Sequence, residues 1–479
     1  MGKFNLIICL FLSIFSFSHA YKTVLQPITN KDTGEVTGVK KAKLITVDQD
    51  PEISVDFPAI WNEFRNPWVK EPEFPKLLGT SVHYASQCNF TMNHKELMDQ
   101  LSGEKFDVGI TEMYDHCGIV LLNRIGAKSH VLATSTISME SINQFIGIPN
   151  LYSYVPVSVA KASDQMGLKM KIGSIVSMLG LRYYYYRFRL EMDKVIDHHF
   201  GVGSSSTSEM IGNADMVLTN SHPYLDFAHP TLEKIVDIGS ISVDEPKALD
   251  ERWLKITSVR SKTILLSFGS VAYSTLMPKE WRDSIVQALK AFPDVTFIWK
   301  YEKPEDNFAV SAPNVKLIDW APQLDLLFAG KIDLFITHGG LGSVYETALA
   351  GVPAIFIPLF ADQFRNAMMC ERKGFGEILP KEKLGEPQFI IDLIKKMLES
   401  ESYKENAEKT GRRMKSRPLS PREQLVKHIE FAAREGKLGF LDPAGRQMSF
   451  IQYYCLDVLG ILITFLLICS LFKGKMKND

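Results

Sequence analysis

The 479-residue chain has only six cysteines, and none lies in a C-x-x-C pair. Such sparse usage excludes a disulfide scaffold and argues against a structural zinc site. An excess of charge of either sign is also missing, with 54 Lys+Arg against 55 Asp+Glu and a net charge of -1. A general nucleic-acid binder needs a basic surface to neutralise phosphates, so no nucleic-acid partner is expected. Internal repeats are absent. What is present is ordinary globular composition, 46% apolar and 23% charged, which excludes a disordered chain.

The two ends are apolar. Lys3 precedes the run Leu6 to Phe17, broken only by Ser13 and Ser16, and Ser18-His19-Ala20 follows. A basic start, a short apolar core and a small-residue exit predict a signal peptide over 1–20, with an uncleaved anchor as the alternative. Tyr453 to Phe472 is long enough for one transmembrane helix (453–472), with Asp457 near its start. Lys473, Lys475 and Lys477 then favour a cytosolic tail over 473–479. The expectation is a single-pass type I membrane protein with residues from about 21 to 452 in the lumen. Lys475 and Lys477 resemble the dilysine retrieval signal of endoplasmic reticulum membrane proteins, although basic residues are also needed merely to stop transfer. Asn89-Phe90-Thr91 is a glycosylation sequon, usable in the lumen. Cys88, Cys117 and Cys370 remain in the lumenal body; an odd number leaves one thiol unpaired, and no essential disulfide framework is expected.

Between the ends, the second half alternates short apolar strands with helices. Strands are predicted at Thr263 to Phe268, Val295 to Trp299, Val315 to Ile318, Leu334 to Thr337 and Ala354 to Ile357. A helix is predicted from Pro278 to Ala291 and another from about Glu423 to Arg434, after the break Arg417-Pro-Leu-Ser-Pro421. This alternation predicts an α/β fold with parallel βαβ units, Rossmann-like over 261–417. In the first half, strands are predicted at Phe106 to Ile110, Asp215 to Thr219 and Ile235 to Ile238, with an aromatic helical stretch containing Tyr183 to Tyr186. Residues 246–260 read as a linker, and 418–452 as a return helix with a juxtamembrane segment.

Three clusters fall at strand-to-helix junctions of the second half: Trp320-Ala-Pro-Gln323, His338-Gly-Gly340-Leu-Gly-Ser343 with Glu346, and Gly351-Val-Pro353 with Pro358 and Asp362-Gln363. The glycines let backbone approach a ligand, and the helix opening near Leu341 offers unpaired N–H groups to a phosphate. His338 and Ser343 can add donors, Glu346 can accept from ribose hydroxyls, and Trp320 offers a flat face to a base. Asp362 and Gln363 can hold sugar hydroxyls. All lie at carboxyl ends of parallel strands, where open α/β sheets bind ligands. Singly, each is as well explained by structure: a strand-end histidine, or a helix cap.

Together and in this order, over about 44 residues, they resemble the signature of the UDP-glycosyltransferases. With the leader, span and lysine tail, the chain looks like their membrane-bound UDP-glucuronosyltransferase branch. The resemblance implies a GT-B fold: two facing Rossmann-like domains, the first (21–245) binding an apolar acceptor and the second a UDP-sugar. It implies that Trp320 stacks on uracil and Gln323 meets its edge. Ser270, His338, Gly340 and Ser343 meet the diphosphate, Glu346 the ribose, and Asp362 and Gln363 the transferred sugar. No metal or other cofactor is implied. Asp48-Gln-Asp50 has the D-x-D spacing of metal-dependent transferases but lies far from any phosphate loop. The adjacent His198 and His199 cannot share a metal from one helix face.

Relatives of this kind begin with a strand, a loop bearing a catalytic histidine, and a helix. Here Thr23-Val-Leu-Gln-Pro27 resembles their second strand, so the first unit is expected to be absent, and His19 falls in the leader. Glu112 takes the position of the carboxylate that holds that histidine, with Asp115 as runner-up; His83, His94 and His116 are candidate substitutes for the base. The implied activity is inverting transfer of glucuronic acid from UDP-glucuronate to small lipophilic acceptors. The alternatives are a UDP-glucosyltransferase, or a catalytically impaired UDP-sugar-binding subunit that associates with related transferases. The implied location is the endoplasmic reticulum membrane.

Overall fold

The computed structural model describes residues 6–9, 23–27, 43–48, 50–53, 65–69, 74–114, 116–137 and 140–475. The first half is built on a sheet of β1 (Leu6–Cys9), β2 (Thr23–Pro27), β3 (Lys43–Val47), β4 (Val108–Glu112), β5 (Ser129–Thr134), β6 (Met216–Thr219) and β7 (Ile235–Asp237). Their order is β3-β2-β1-β4-β5-β6-β7, and each pairing is parallel. The second half holds β8 (Lys262–Ser267), β9 (Val295–Lys300), β10 (Val315–Ile318), β11 (Leu334–Thr337), β12 (Ala354–Phe356) and β13 (Gly376–Ile378). This sheet is also parallel, in the order β10-β9-β8-β11-β12-β13. In each sheet the order reverses beside the first strand, at β1/β4 and at β8/β11, and that reversal opens a crevice at the strand ends.

The strands are near-continuous apolar runs because both faces are covered. Ile264, Leu266, Leu334 and Ile336 lie in one buried core, while Leu265, Ile298, Phe335 and Phe356 lie in the core on the other face. In the first sheet, Val108, Ile110, Val131, Ala133, Met216 and Leu218 share a core with Leu425 and Ala432. Those two come from the helix Pro421–Glu435, so the end of the second half returns to cover a face of the first. The segment 246–260 holds the helix Glu251–Thr257, started by Asp250, whose side chain accepts from Trp253 N at 3.0 Å.

Two expectations are corrected. The first strand is not absent: Leu6–Cys9, read as leader core, pairs with both β2 and β4, Ile7 standing opposite Thr23 and Gly109. β2 and β4 are therefore each paired along the side that faces β1. A short apolar run suits a buried parallel strand as well as a leader, and periodicity cannot separate the two. His19 and the small-residue exit lie outside the described residues. The second correction is a disulfide, Cys88–Cys117, with a Cα–Cα distance of 5.5 Å. It staples the helix Phe74–Met92 to the first residue of the helix Cys117–Ile125, leaving Cys370 as a buried thiol.

At the other end, a short helix Phe450–Tyr453, capped by Ser449, is separated from the helix Leu456–Lys475 by Cys455 at φ 53°. Among the described residues no helix is long and apolar enough to cross a membrane. Side chains beyond Ser470, including the tail lysines, are not among those described.

Candidate active site

Register places the site. Thr337 pairs with Ser267, so the segments leaving β11 and β8 emerge side by side at the switch point. His338 follows β11 and its ring fills the space between two glycines. A Cβ on Gly269 would stand 2.8 Å from His338 Cε1, and one on Gly340 would stand 2.5 Å from Nε2. Both positions exclude a side chain for lack of room, and Gly269 also takes φ 76°. Burial, then the nearby Lys300 cation, pushes the His338 imidazole down to about 4, so it is neutral at physiological pH.

Gly340 caps the helix Leu341–Ala350 without a side chain, so no side-chain cap satisfies its first-turn N–H groups. Ser343 and Glu346 lie on its first two turns, and Gln323 opens the helix Gln323–Phe328 after β10. Gln323 Nε2 donates to Ser343 Oγ at 3.0 Å and to Glu346 Oε2 at 2.5 Å. One amide thus joins two motif clusters. Burial raises the Glu346 carboxyl above its ordinary range, and the Gln323 bond opposes that shift. Trp320 is 67% exposed, which leaves a ring face free to stack.

Trp320, Gln323, Ser343 and Glu346 line one cleft of about 390 Å³, together with Ser270, Ser267 and Gly269, whereas His338 and Gly340 do not border it. Sequence reasoning missed two contributors. Lys300 ends β9, donates from Nζ to Gly269 O at 2.5 Å and stands 5.7 Å from the Trp320 ring centroid. A cation at this place suits an anionic ligand. A charged residue at the end of a strand beside the switch point was its only signal. The other contributor is the linker: Asp244, Glu245 and Lys247 border the cleft, and Lys247 N donates to Asp325 Oδ1 at 2.7 Å.

Asp362 and Gln363 sit after β12 and are not among the residues that line this cleft. Gln363 is buried, and its Oε1 accepts from Leu359 N at 2.8 Å and Phe360 N at 3.2 Å. Its carbonyl is therefore committed to its own loop. Asp362 Oδ2 accepts from Asn366 Nδ2 at 2.9 Å, and the same amide donates to Gly339 O at 3.1 Å. Asn366, one turn beyond the motif, was also missed; it ties this loop to the glycine turn.

In the first half, Glu112 ends β4 and accepts from Ser135 N at 3.3 Å. Ser135 O accepts from Asn220 Nδ2 at 2.7 Å, and Asn220 O accepts from the hydroxyl of Tyr345, the neighbour of Glu346. The carboxyl ends of this sheet thus face the second half. Burial raises the Glu112 carboxyl to about 7, so near neutrality it can hold or release a proton. Asp115 lies outside the described residues. His116 is ruled out as a base. Its ring is buried against Tyr185 and Phe188, Nδ1 has no partner among the described residues, and burial pushes its pKa to about 3. His94 packs on Phe90, and His83 does not border the cleft of about 390 Å³.

The four tyrosines divide. Tyr185 is buried, and Tyr183 and Tyr186 are exposed, all three bordering a cavity of about 270 Å³ beside Glu140 and Arg189. His199 Nε2 bonds Asn89 Oδ1 at 2.8 Å, and the Thr91 hydroxyl is buried, so the sequon lies inside a packed helix. Asp50 is occupied locally, accepting from Ser86 Oγ at 2.5 Å and Glu52 N at 3.0 Å.

A family profile described as "UDP-glucoronosyl and UDP-glucosyl transferase" matches residues 52–478. Human UDP-glucuronosyltransferase 3A2 is 31% identical over 415 residues, covering 84% of this chain and 77% of the relative. The putative UDP-glucuronosyltransferase ugt-48 of Caenorhabditis elegans is 30% identical over 382 residues, 78% of this chain and 72% of the relative. Among solved structures, a UDP-glucosyltransferase from Polygonum tinctorium superposes with TM-score 0.59 at 14% identity, covering 90% of this chain and 99% of that one. The glycotransferase of kitacinnamycin gives 0.60 at 14%, covering 89% and 98%. At such identities the likeness establishes the GT-B fold alone. The profile match and the shared length of the relatives establish more: the chain is a glycosyltransferase of the UDP-glucuronosyl and UDP-glucosyl transferase family.

Proposed function

We propose that the chain transfers glucuronic acid from UDP-glucuronate to the hydroxyl of a small lipophilic acceptor, with inversion. The observation that carries this reading is the joining of Gln323, Ser343 and Glu346 beneath the exposed face of Trp320. That arrangement offers a base platform, a ribose acceptor and a helix N-terminus in one cleft. The acceptor oxygen attacks the anomeric carbon, the bond from that carbon to the β-phosphate oxygen breaks, and UDP leaves. Charge on the departing diphosphate meets the N–H groups of the helix Leu341–Ala350, with Lys300 and Ser270 beside them. In this reading no metal or resident cofactor takes part. Glu112 receives the acceptor's proton. The names of the curated relatives favour glucuronate over glucose as the sugar.

A membrane location belongs to the same reading. The apolar run Tyr453 to Phe472 supports an anchor through its sequence alone. Ile172, Ile175, Val176, Leu179, Tyr183 and Tyr186 form an exposed stripe on one face of the helix Leu168–Phe200, flanked by Lys171 and Arg182. An apolar stripe edged by cations suits a lipid surface. The Cys88–Cys117 disulfide supports an oxidising compartment such as the endoplasmic reticulum lumen. Partnership with related transferases is tested by co-purification.

The decisive experiment is calorimetry on the full chain. UDP and UDP-glucuronate should both give heat, and labelled donor should yield conjugates of phenolic acceptors. Absence of heat with both nucleotides would sink the reading. Binding without turnover would leave the impaired-subunit alternative.

A further inference from the structure

The helix Gln363–Arg372 begins at the sugar-side pair and carries, on its first turn, an arginine that the donor site does not use. Arg365 Nη2 lies 2.8 Å from Asp226 Oδ1, and the two side chains are only 5% and 3% exposed. Arg365 Nε also donates to Pro156 O at 3.3 Å, and its guanidinium lies 5.1 Å from the Phe227 ring centroid. Asp226, Pro156 and Phe227 all belong to the first half. Asp226 is itself fixed, since Oδ2 accepts from Ser221 Oγ at 2.7 Å and Oδ1 from Phe227 N at 2.7 Å.

The neighbouring residue points the other way. Asn366 bonds Gly339 O and Asp362 Oδ2, so the same helical turn is latched to the glycine loop and the sugar-side carboxylate. One turn of helix therefore holds three things together: the phosphate loop, Asp362 with Gln363, and the first half of the molecule. Stability alone does not account for the ion pair. A buried pair gains little over well-packed apolar groups, because both charges lose their water. Its directional bonds do fix register, and domains that share a chain otherwise shift relative to each other.

We propose that Arg365 is a positioning residue: paired with Asp226, it holds the first turn of the helix Gln363–Arg372 against the first half, so that Asp362 and Gln363 meet the donor's sugar. This rests on the nucleotide-sugar reading above, and the test separates the two. Full-length Arg365→Met, Asp226→Asn and Arg365→Lys are compared with the parent by calorimetry against UDP and UDP-glucuronate, with melting curves to report folding. UDP lacks the transferred sugar that Asp362 would meet, so its affinity should stay within about twofold in every variant. The extra affinity of UDP-glucuronate over UDP should fall about tenfold in Arg365→Met and Asp226→Asn, and recover at least in part in Arg365→Lys.

Equal changes with both nucleotides, or none with either, would overturn the proposal. So would loss of folding in both charge-removing variants, which would make the pair purely structural. A lysine variant no better than methionine would overturn the role of charge. If the parent itself gives no heat with UDP, the nucleotide-sugar reading fails instead.

Discussion

The two halves share one sheet connectivity around their first strands but gather their ligand groups differently. In the second half, Trp320, Gln323, His338, Ser343 and Glu346 come from consecutive strand ends of a single sheet, and Gln323 alone bonds two of the others. In the first half, Glu112 is tied through Ser135 and Asn220, which leave β5 and β6, to Tyr345 of the second half. A site drawn from neighbouring junctions leaves a compact signature in sequence; one drawn from scattered loops does not. The donor side should therefore keep its ligand when the acceptor side is damaged, and the reverse should hold for folding of the first half.

The sharpest way to separate the halves is Glu112→Gln. Transfer should fall by about 10² to 10⁴, the usual range for a lost proton acceptor, while UDP affinity measured by calorimetry is unchanged. A parallel loss of UDP binding would break the comparison. The same residue gives a pH dependence. Burial raises its carboxyl from 4.5 to about 7, so between those values the folded state binds more protons than the unfolded one. Stability should therefore fall as pH rises through that window, then stop changing on this residue's account. The slope should disappear in the Gln variant, with a total on the order of 3 kcal/mol at neutral pH and above. Activity that needs the carboxylate should rise over the same window.

Replacing Cys88 and Cys117 by serine tests the first half without touching the donor cleft. The bridge closes a segment with a sequence separation of 29. Its loss should cost about 3 kcal/mol in denaturant melts, by the loop-closure account. Heat with UDP, measured below the melting transition, should persist. Equal protection of the two halves by the disulfide would show that they unfold as one unit.

Legibility followed the same division. The strand Leu334–Thr337 and the helix start at Leu341 were readable because an apolar run ends at a glycine-rich turn, and Val315–Ile318 because its β-branched run stops short of Pro322. Strand β13, only three residues long, carries too little pattern to read. Strand β4 runs Val108–Glu112, two residues later than expected, because Phe106 is buried before the strand begins. The pairing of Cys88 with Cys117 depends on how two helices pack, which an odd cysteine count cannot show. The most instructive miss is β1. Its four residues satisfy the rules for a leader and for a buried strand, and only the slot between β2 and β4 distinguishes them. Lys300, Asn366 and Arg365 escaped because each acts through partners distant in sequence.

On the donor side, Trp320→Ala should weaken UDP by about 1–3 kcal/mol, the range for one base–aromatic stack. Because Trp320 is 67% exposed, little packing is lost, and the melting curve should not move. An unchanged UDP affinity would mean that the pyrimidine lies elsewhere, and the donor half would lose its advantage of local assembly.

The smallest expected effect is also the most discriminating about where the halves divide. Ser420 precedes the helix Pro421–Glu435, and its hydroxyl accepts from Glu423 N at 3.2 Å while the Glu423 carboxylate accepts from Ser420 N at 2.9 Å. This reciprocal cap starts a helix that follows the donor domain in sequence yet buries Leu425 and Ala432 against Val108 and Ile110 of the first half. Ser420→Ala should cost about 1 kcal/mol, the usual price of a lost cap. The cost should appear as faster amide exchange in β4 and β7, the strands beneath the helix, and not in β8 or β11. Glu423 is held below the ordinary carboxylate range by these bonds, so its share of the cap should weaken as pH falls through that depressed value. Exchange that quickens in β8 instead would place this helix with the donor half, and the boundary between the two halves would have to follow sequence order after all.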